Sequence, residues 1–349
     1  MAAAHLAEEV RGRDVLAVVT ARSAAVARHL LGDVPVVAWF DEVAEHVPVA
    51  TAARARAAAV GAELLVAVGG GSAIGVAKAV ALTTGLPIVA VPTTYAGSEA
   101  TDVWGVTEGG VKRTGTDSRV LPGTVIYDPE LTLSLPVGLS VASGLNALAH
   151  GVETLWGPRA DPINAALAVE GIRLLGEGLP EVVRDPAGLR GREQVLCGAH
   201  LAAAAFASAG TGLHHRICHV LGGRFGLPHA PTHAAVLPHV LAFNAPAAPK
   251  AAGRVVAALR PGVTGSQAGD AVAALAGLYA RLDAPRALRD LGLAEDDLEE
   301  AARLALAAVP PSNPRGVGPA DMLRLLRAAW AGDAPQADET PRVGDAPQG

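Results

Sequence analysis

LLVAVGGGSAIGVAKAVAL, residues 64–82, decides the fold. Five apolar residues run into three glycines and a serine, and helix-favouring residues follow. An unbroken apolar run of that length suits a strand buried on both faces, and the glycine turn at its carboxyl end opens a helix. Gly69, Gly70, Gly71 and Ser72 then stand at a helix N-terminus, where backbone N–H groups approach an anion with no Cβ in the way. The spacing is neither G-x-G-x-x-G nor a P-loop, so an ordinary tight turn competes with a pyrophosphate cradle.

Outward from this unit the same rhythm repeats. VLAVVT (15–20), VPVVAWF (34–40), LPIVAVPTT (86–94) and TVIYDPEL (124–131) read as further strands, with helical stretches to about Leu31 and over 49–61 between them. Val/Ile/Leu runs alternating with helices predict a parallel sheet covered on both faces, an α/β nucleotide-binding architecture. The loop PTTYAGSE (92–99) places Thr93, Thr94, Tyr95 and Ser98 at the carboxyl end of the next strand, where open α/β sheets bind ligands. Two such loops on neighbouring strands favour a cofactor crevice over turn chemistry alone. From about Pro136 to Trp330 strand-like runs thin out and Ala/Leu-rich helical periods take over. The expected organisation is an α/β dinucleotide-binding domain over 1–137, an all-α domain over 138–332 and a disordered polar tail over 333–349.

Composition limits the partners. Of 349 residues, half are hydrophobic and 18% are charged, with a net charge of −6, which offers no attraction for nucleic acid or anionic membranes. No apolar run is long enough to span a bilayer, and MAAAHLAEEVRGRD meets charge too early for a secretory leader. Cys197 and Cys218 form no C-x-x-C pair, so free thiols in a cytoplasmic protein are expected.

The second half is dense in histidine. In SGLNALAH (143–150), Asn146 and His150 share a helix face, as do His215 and His219 in HHRICHVLGGRFGLPHAPTHAAVLPHV (214–240). Six histidines within 26 residues of apolar context are hard to explain as packing, because buried imidazoles need partners. A metal site and an anionic-substrate site are the two sharp alternatives. Lys112, in GGVKRTG, is one of three lysines and reads equally as a surface charge or as a group reaching cofactor ribose or substrate carboxylate.

Taken in order, GGGS, PTTYAGSE, TEGGVKRTG, LPGTVIYDPELTLSLP, SGLNALAH, the histidine segment and NPRGV (313–317) resemble the iron-containing alcohol dehydrogenase superfamily, and within it the maleylacetate reductase branch. The resemblance runs from about residue 60 to Gly332. It implies the dehydroquinate synthase-like fold, with a dinucleotide domain, a helical domain and the active site in the cleft between them. In metal-dependent members an aspartate at the position of Asn146 and histidines at those of His150, His215 and His229 hold iron or zinc. This chain has an amide there, a poor partner for a divalent transition ion, so no metal is expected. Gly75 likewise stands where the alcohol dehydrogenases carry an acid, and relatives open with a strand and glycine turn before the helix at which this chain starts.

The resemblance implies reduction of the enone C=C of maleylacetate to 3-oxoadipate with NADH, NADPH being tolerated because the loop Thr20-Ala21-Arg22-Ser23 holds no acid. A homodimer and a role in catabolism of aromatic rings go with it. Gly69, Gly70, Gly71, Ser72, Thr93, Thr94 and Ser98 are expected to bind cofactor. His150, His215, His219, His229 and Lys112 are expected to act on the reacting group. Asn146, Tyr95, Arg216 and His233 are expected to hold the dicarboxylate substrate. The competing readings are a metal-dependent alcohol dehydrogenase, a reductase of another enoate, and a binding protein that keeps the fold without catalysis.

Overall fold

A computed structural model describes residues 2–109, 111–263 and 267–337. Helix α1 (Ala2–Val10) leads into β1 (Val15–Val19), α2 (Ala24–Leu31), β2 (Val36–Phe40), α3 (Val49–Ala58), β3 (Leu64–Gly69), α4 (Gly71–Thr84) and β4 (Ile88–Pro92). A hairpin of β5 (Val103–Glu108) and β6 (Val111–Thr116) follows, then the short β7 (Thr124–Val125). The main sheet is parallel with order β2-β1-β3-β4-β7. Every residue of β1, β3 and β4 is buried, as their unbroken apolar runs require, whereas β2, on the edge, is partly exposed. Leu16 and Val18 point into the core under α3 and α4, and Val15, Ala17 and Val19 into that under α1 and α2. The order reverses direction between β1 and β3, so the crevice for a ligand opens at the carboxyl ends of those two strands.

Two expectations for this half need correction. The strand expected over 124–131 is only the two residues of β7, because the Asp128 side chain accepts from the Glu130 N–H and starts a 3-10 turn at Pro129, which has no N–H for a ladder. The hairpin β5–β6 was not expected at all. It pairs Val103 with Thr116 through to Glu108 with Val111, and sets Thr107 opposite Lys112.

The rest is helical: α5 (Val137–Thr154), α6 (Pro162–Arg184), α7 (Leu189–Ala209), α8 (Leu213–Phe225), α9 (His229–Asn244), α10 (Pro249–Leu259), α11 (Ala268–Leu282), α12 (Leu298–Ala307) and α13 (Pro319–Ala331). Helix α5 is buried from Ser140 to Thr154 and runs through the centre of one core, while α8, α9, α12 and α13 enclose another. Among the described residues no single helix is long and apolar enough to cross a membrane. Residues 333–337 have no regular structure, and the remainder of the tail expected to be disordered, 338–349, lies outside the described residues.

Candidate active site

One cavity of about 630 Å³ joins the glycine loops to the histidines. At the loop end, Gly70, Gly71 and Ser72 line it, together with Thr93, Thr94, Ser98 and the segment Thr20–Ser23 that follows β1. Gly70 caps α4 without a side-chain bond, which leaves the first-turn N–H groups to serve an anion. A Cβ built on Gly70 would stand 2.8 Å from Cγ2 of Thr94, so the backbone approaches the neighbouring loop as only glycine allows. The Thr93 N–H donates to the Gly69 carbonyl at 3.0 Å and ties the two loops together. Gly69 itself sits behind the lining, with φ +155° and its missing Cβ against Ala73. This cradle fits a dinucleotide pyrophosphate.

At the other end His150 from α5, His215 and His219 from α8 and His229 from α9 line the same cavity, with Lys112 of β6 beside them. His150 and His215 are stacked, with centroids 4.9 Å apart and planes 16° from parallel. Burial is the main cause that holds these rings low. His215 is pushed down to about 3, with the Lys112 and Arg216 cations adding to the effect, and His150, His219 and His229 lie well below the ordinary imidazole range. Burial also pushes Lys112 down, to about 8.

Glu153, one turn beyond His150 on α5, organises this end. Its fully buried carboxylate accepts from the backbone N–H of Gly212 at 3.2 Å and of His214 at 2.6 Å, and lies 2.6 Å from Nδ1 of His215. Burial raises its pKa and these donors lower it. With so many donors facing it we take the carboxylate as ionised and the shared proton as seated on Nδ1 of His215. Gly212 is required there, since a Cβ would stand 2.5 Å from Oε1 of Glu153. The tautomer leaves Nε2 of His215 with no partner among the described residues, and Nδ1 of His150 also has none there.

Four expected substrate-binding residues do not line the cavity. Tyr95 is fully buried, bonded through its hydroxyl to Thr132 and Arg192, and belongs to the core beneath the loop. Asn146 is buried one turn before His150. Its amide donates weakly to Ala96 O at 3.4 Å, and its oxygen has no partner. Arg216 is half-buried on α8 with Nε unpaired. His233 lies behind the lining, its Nδ1 2.9 Å from Nε2 of His214.

The histidines expected to match a metal set do not converge. Among the described residues their ligand atoms are not grouped within 4.8 Å of one another, and Asn146 supplies only a neutral oxygen. Among the described residues, the His/Cys/Asp/Glu group whose ligand atoms lie within 4.8 Å of one another is His214, Cys218 and His233. It is a packed, hydrogen-bonded cluster whose thiol burial keeps neutral.

Two site residues escape a reading of the sequence. Glu153 had a signal, since three residues after His150 on a helix puts it on the same face. His46 had none. It lies in the loop before α3, lines the cavity, and reaches Leu227 O at 3.2 Å in the helical half.

Comparison with known proteins agrees with this geometry. The family model described as iron-containing alcohol dehydrogenase matches residues 2–129, and that of the Fe-containing alcohol dehydrogenase family, C-terminal, matches 140–330. The chain is 48% identical over 314 residues to maleylacetate reductase 2 of Cupriavidus pinatubonensis, covering 89% of this chain and 86% of that one. It is 46% identical over 307 residues to the maleylacetate reductase of Sphingobium indicum, covering 87% and 85%. Among solved structures it is similar to an iron-containing alcohol dehydrogenase from Corynebacterium glutamicum (52% identity, TM-score 0.89, covering 97% and 93%). It is also similar to a maleylacetate reductase from Agrobacterium tumefaciens (40% identity, TM-score 0.87, covering 96% and 95%).

Proposed function

The chain belongs to the iron-containing alcohol dehydrogenase family, and from that premise we infer that it is a maleylacetate reductase, reducing the enone C=C of maleylacetate to 3-oxoadipate. One observation carries the reading beyond its relatives' names: an anion cradle opens into a chamber of four histidines and a lysine, with an amide where metal-dependent members place a carboxylate.

The glycine and threonine loops would hold NADH or NADPH, which would supply hydride for the alkene carbon β to the ketone. Negative charge then grows on the ketone oxygen, and a proton must reach the α carbon. Glu153 holds the His215 proton on Nδ1, and the ring becomes the donor to the growing oxyanion once the arriving dianion draws a second proton onto Nε2, against the burial that holds its pKa down to about 3. Burial keeps the free rings neutral, and an arriving dianion tips them toward the protonated form. His219 and His229 stand as the nearby proton sources. We assign no step to a metal, on the strength of the neutral Asn146 amide. Use as a cytoplasmic homodimer belongs to the same proposal.

Absorbance of NADH and NADPH with freshly made maleylacetate, with and without a strong chelator, tests this. Oxidation that survives chelation is expected. Oxidation abolished by chelator and restored by iron or zinc would overturn the metal-free mechanism, and no oxidation of either cofactor would overturn the substrate.

A further inference from the structure

Lys78 is buried and Lys112 is half-buried in the cavity wall, and they are treated in opposite ways. The Lys78 ammonium donates to Thr101 O at 2.7 Å, Thr101 Oγ1 at 3.0 Å and Val103 O at 2.9 Å, with Glu99 and Asp102 as favourable charges. Lys112 has no hydrogen bond or ion pair among the described residues, and Cys218, whose thiolate would favour its charge, is kept a neutral thiol by burial. Glu45 is exposed at the cavity rim, where its charge is felt by His46. Around Lys112 stand His46, His215, His219 and His229, all of which its charge disfavours as cations. A cation so placed is costly unless an anion arrives to pair with it.

We propose that Lys112 is the anchor for a substrate carboxylate, and that His46 is the positioning residue that holds it over the histidines. This rests on the reductase reading and names the group that selects a dianion. The cofactor pyrophosphate is assigned instead to the Gly70–Gly71 cradle, where the first-turn N–H groups of α4 are free to meet it. The positioning path is continuous. Thr107, opposite Lys112 in the hairpin, donates from N to Val47 O at 3.0 Å and from Oγ1 to His46 O at 2.8 Å. His46 and Val47 both have left-handed backbones, φ +60° and +48°, which a β-branched residue adopts only when its surroundings hold it there. The His46 ring then crosses the cleft, donates from Nε2 to Leu227 O, and sits 6.2 Å from the ring of His229. The hairpin from the sheet half is thereby tied to the start of α9.

The test uses the full chain and two readouts. In steady-state kinetics, Lys112→Met should raise KM for maleylacetate by ~100-fold, in the range for removing one partner of a desolvated charge pair, while the KM for its dimethyl ester and the Kd for NADH stay within about threefold. Lys112→Arg should recover much of the loss. His46→Ala should raise the same KM by ~10-fold with a smaller change in kcat, and His46→Gln, which keeps a donor for Leu227 O, should restore it. Equal losses for acid and ester, or a weakened NADH Kd in Lys112→Met, would overturn the anchor. A His46→Gln variant no better than His46→Ala would overturn the positioning role. Quenching of bound NADH fluorescence by adipate gives the second readout. If the wild type ignores maleylacetate but binds adipate in a Lys112-dependent way, the substrate assignment fails and the anchor stands. Adipate binding that is unchanged in Lys112→Met sinks the anchor whatever the enzyme reduces.

Discussion

The two ends of the cavity are made by opposite means. The cofactor end is backbone and small side chains: Gly70, Gly71, Ser72, Thr93 and Thr94, drawn from two loops on adjacent strands. The histidine end is large titratable side chains brought from α5, α8, α9, the hairpin and the loop before α3. A pyrophosphate is met by a shape, which contiguous residues can write. A reactive dianion is met by charges in a dry place, which only the tertiary fold can gather. Each end should therefore fail in its own way when altered.

The largest effect should come from the reacting end. His215→Ala removes the ring that Glu153 orients, and kcat/KM for maleylacetate should fall by ~10³-fold with NADH binding unchanged. Stopped-flow reduction alongside NADH titration would show it, and a matching loss of NADH affinity would break the division. Next, Gly70→Val places a branched side chain where even a Cβ meets Thr94 at 2.8 Å. NADH Kd should rise by roughly 10- to 100-fold, about 1.4–2.8 kcal/mol, with adipate binding to the remaining protein little altered. Smallest is the response to pH. Lys112 titrates at about 8, below its ordinary value, so its charge is present below that pH and lost above it. KM for maleylacetate should be flat at lower pH and climb as pH passes 8, while KM for NADH does not follow. The stability linkage runs the other way: between about 8 and the usual lysine range the unfolded chain binds more protons, so this residue's contribution to stability rises with pH. A urea midpoint that falls over that interval in wild type relative to Lys112→Met would contradict it.

What the sequence made legible follows the same division. The apolar runs of β1, β3 and β4, the glycine and threonine loops and the takeover by helices near Val137 are local patterns, and the structure has them. The hairpin was missed because VWGVTE and VKRTGT are partly exposed on both faces and lack a clean apolar alternation. TVIYDPEL carries strand-forming residues only as far as its proline. Tyr95 lay inside a ligand-loop motif, yet its ring turns inward because Arg192, buried on α7, needs the hydroxyl and the Thr132 carbonyl. His46 stands alone in its segment, and only the approach of α8, where Gly222 leaves room for its ring, gives it a task.

The hairpin has one more consequence, for inheritance. On the proposed reading helices α5, α8 and α9 bring the groups that act on the reacting bond, but Lys112 is encoded upstream, with the parallel sheet. Exchange of gene segments between relatives at the junction before Val137 would thus carry the preference for an acidic substrate with the cofactor half, leaving the histidine machinery behind in the recipient. If Lys112 is the anchor, a lineage changes what it reduces by trading the part that holds its coenzyme.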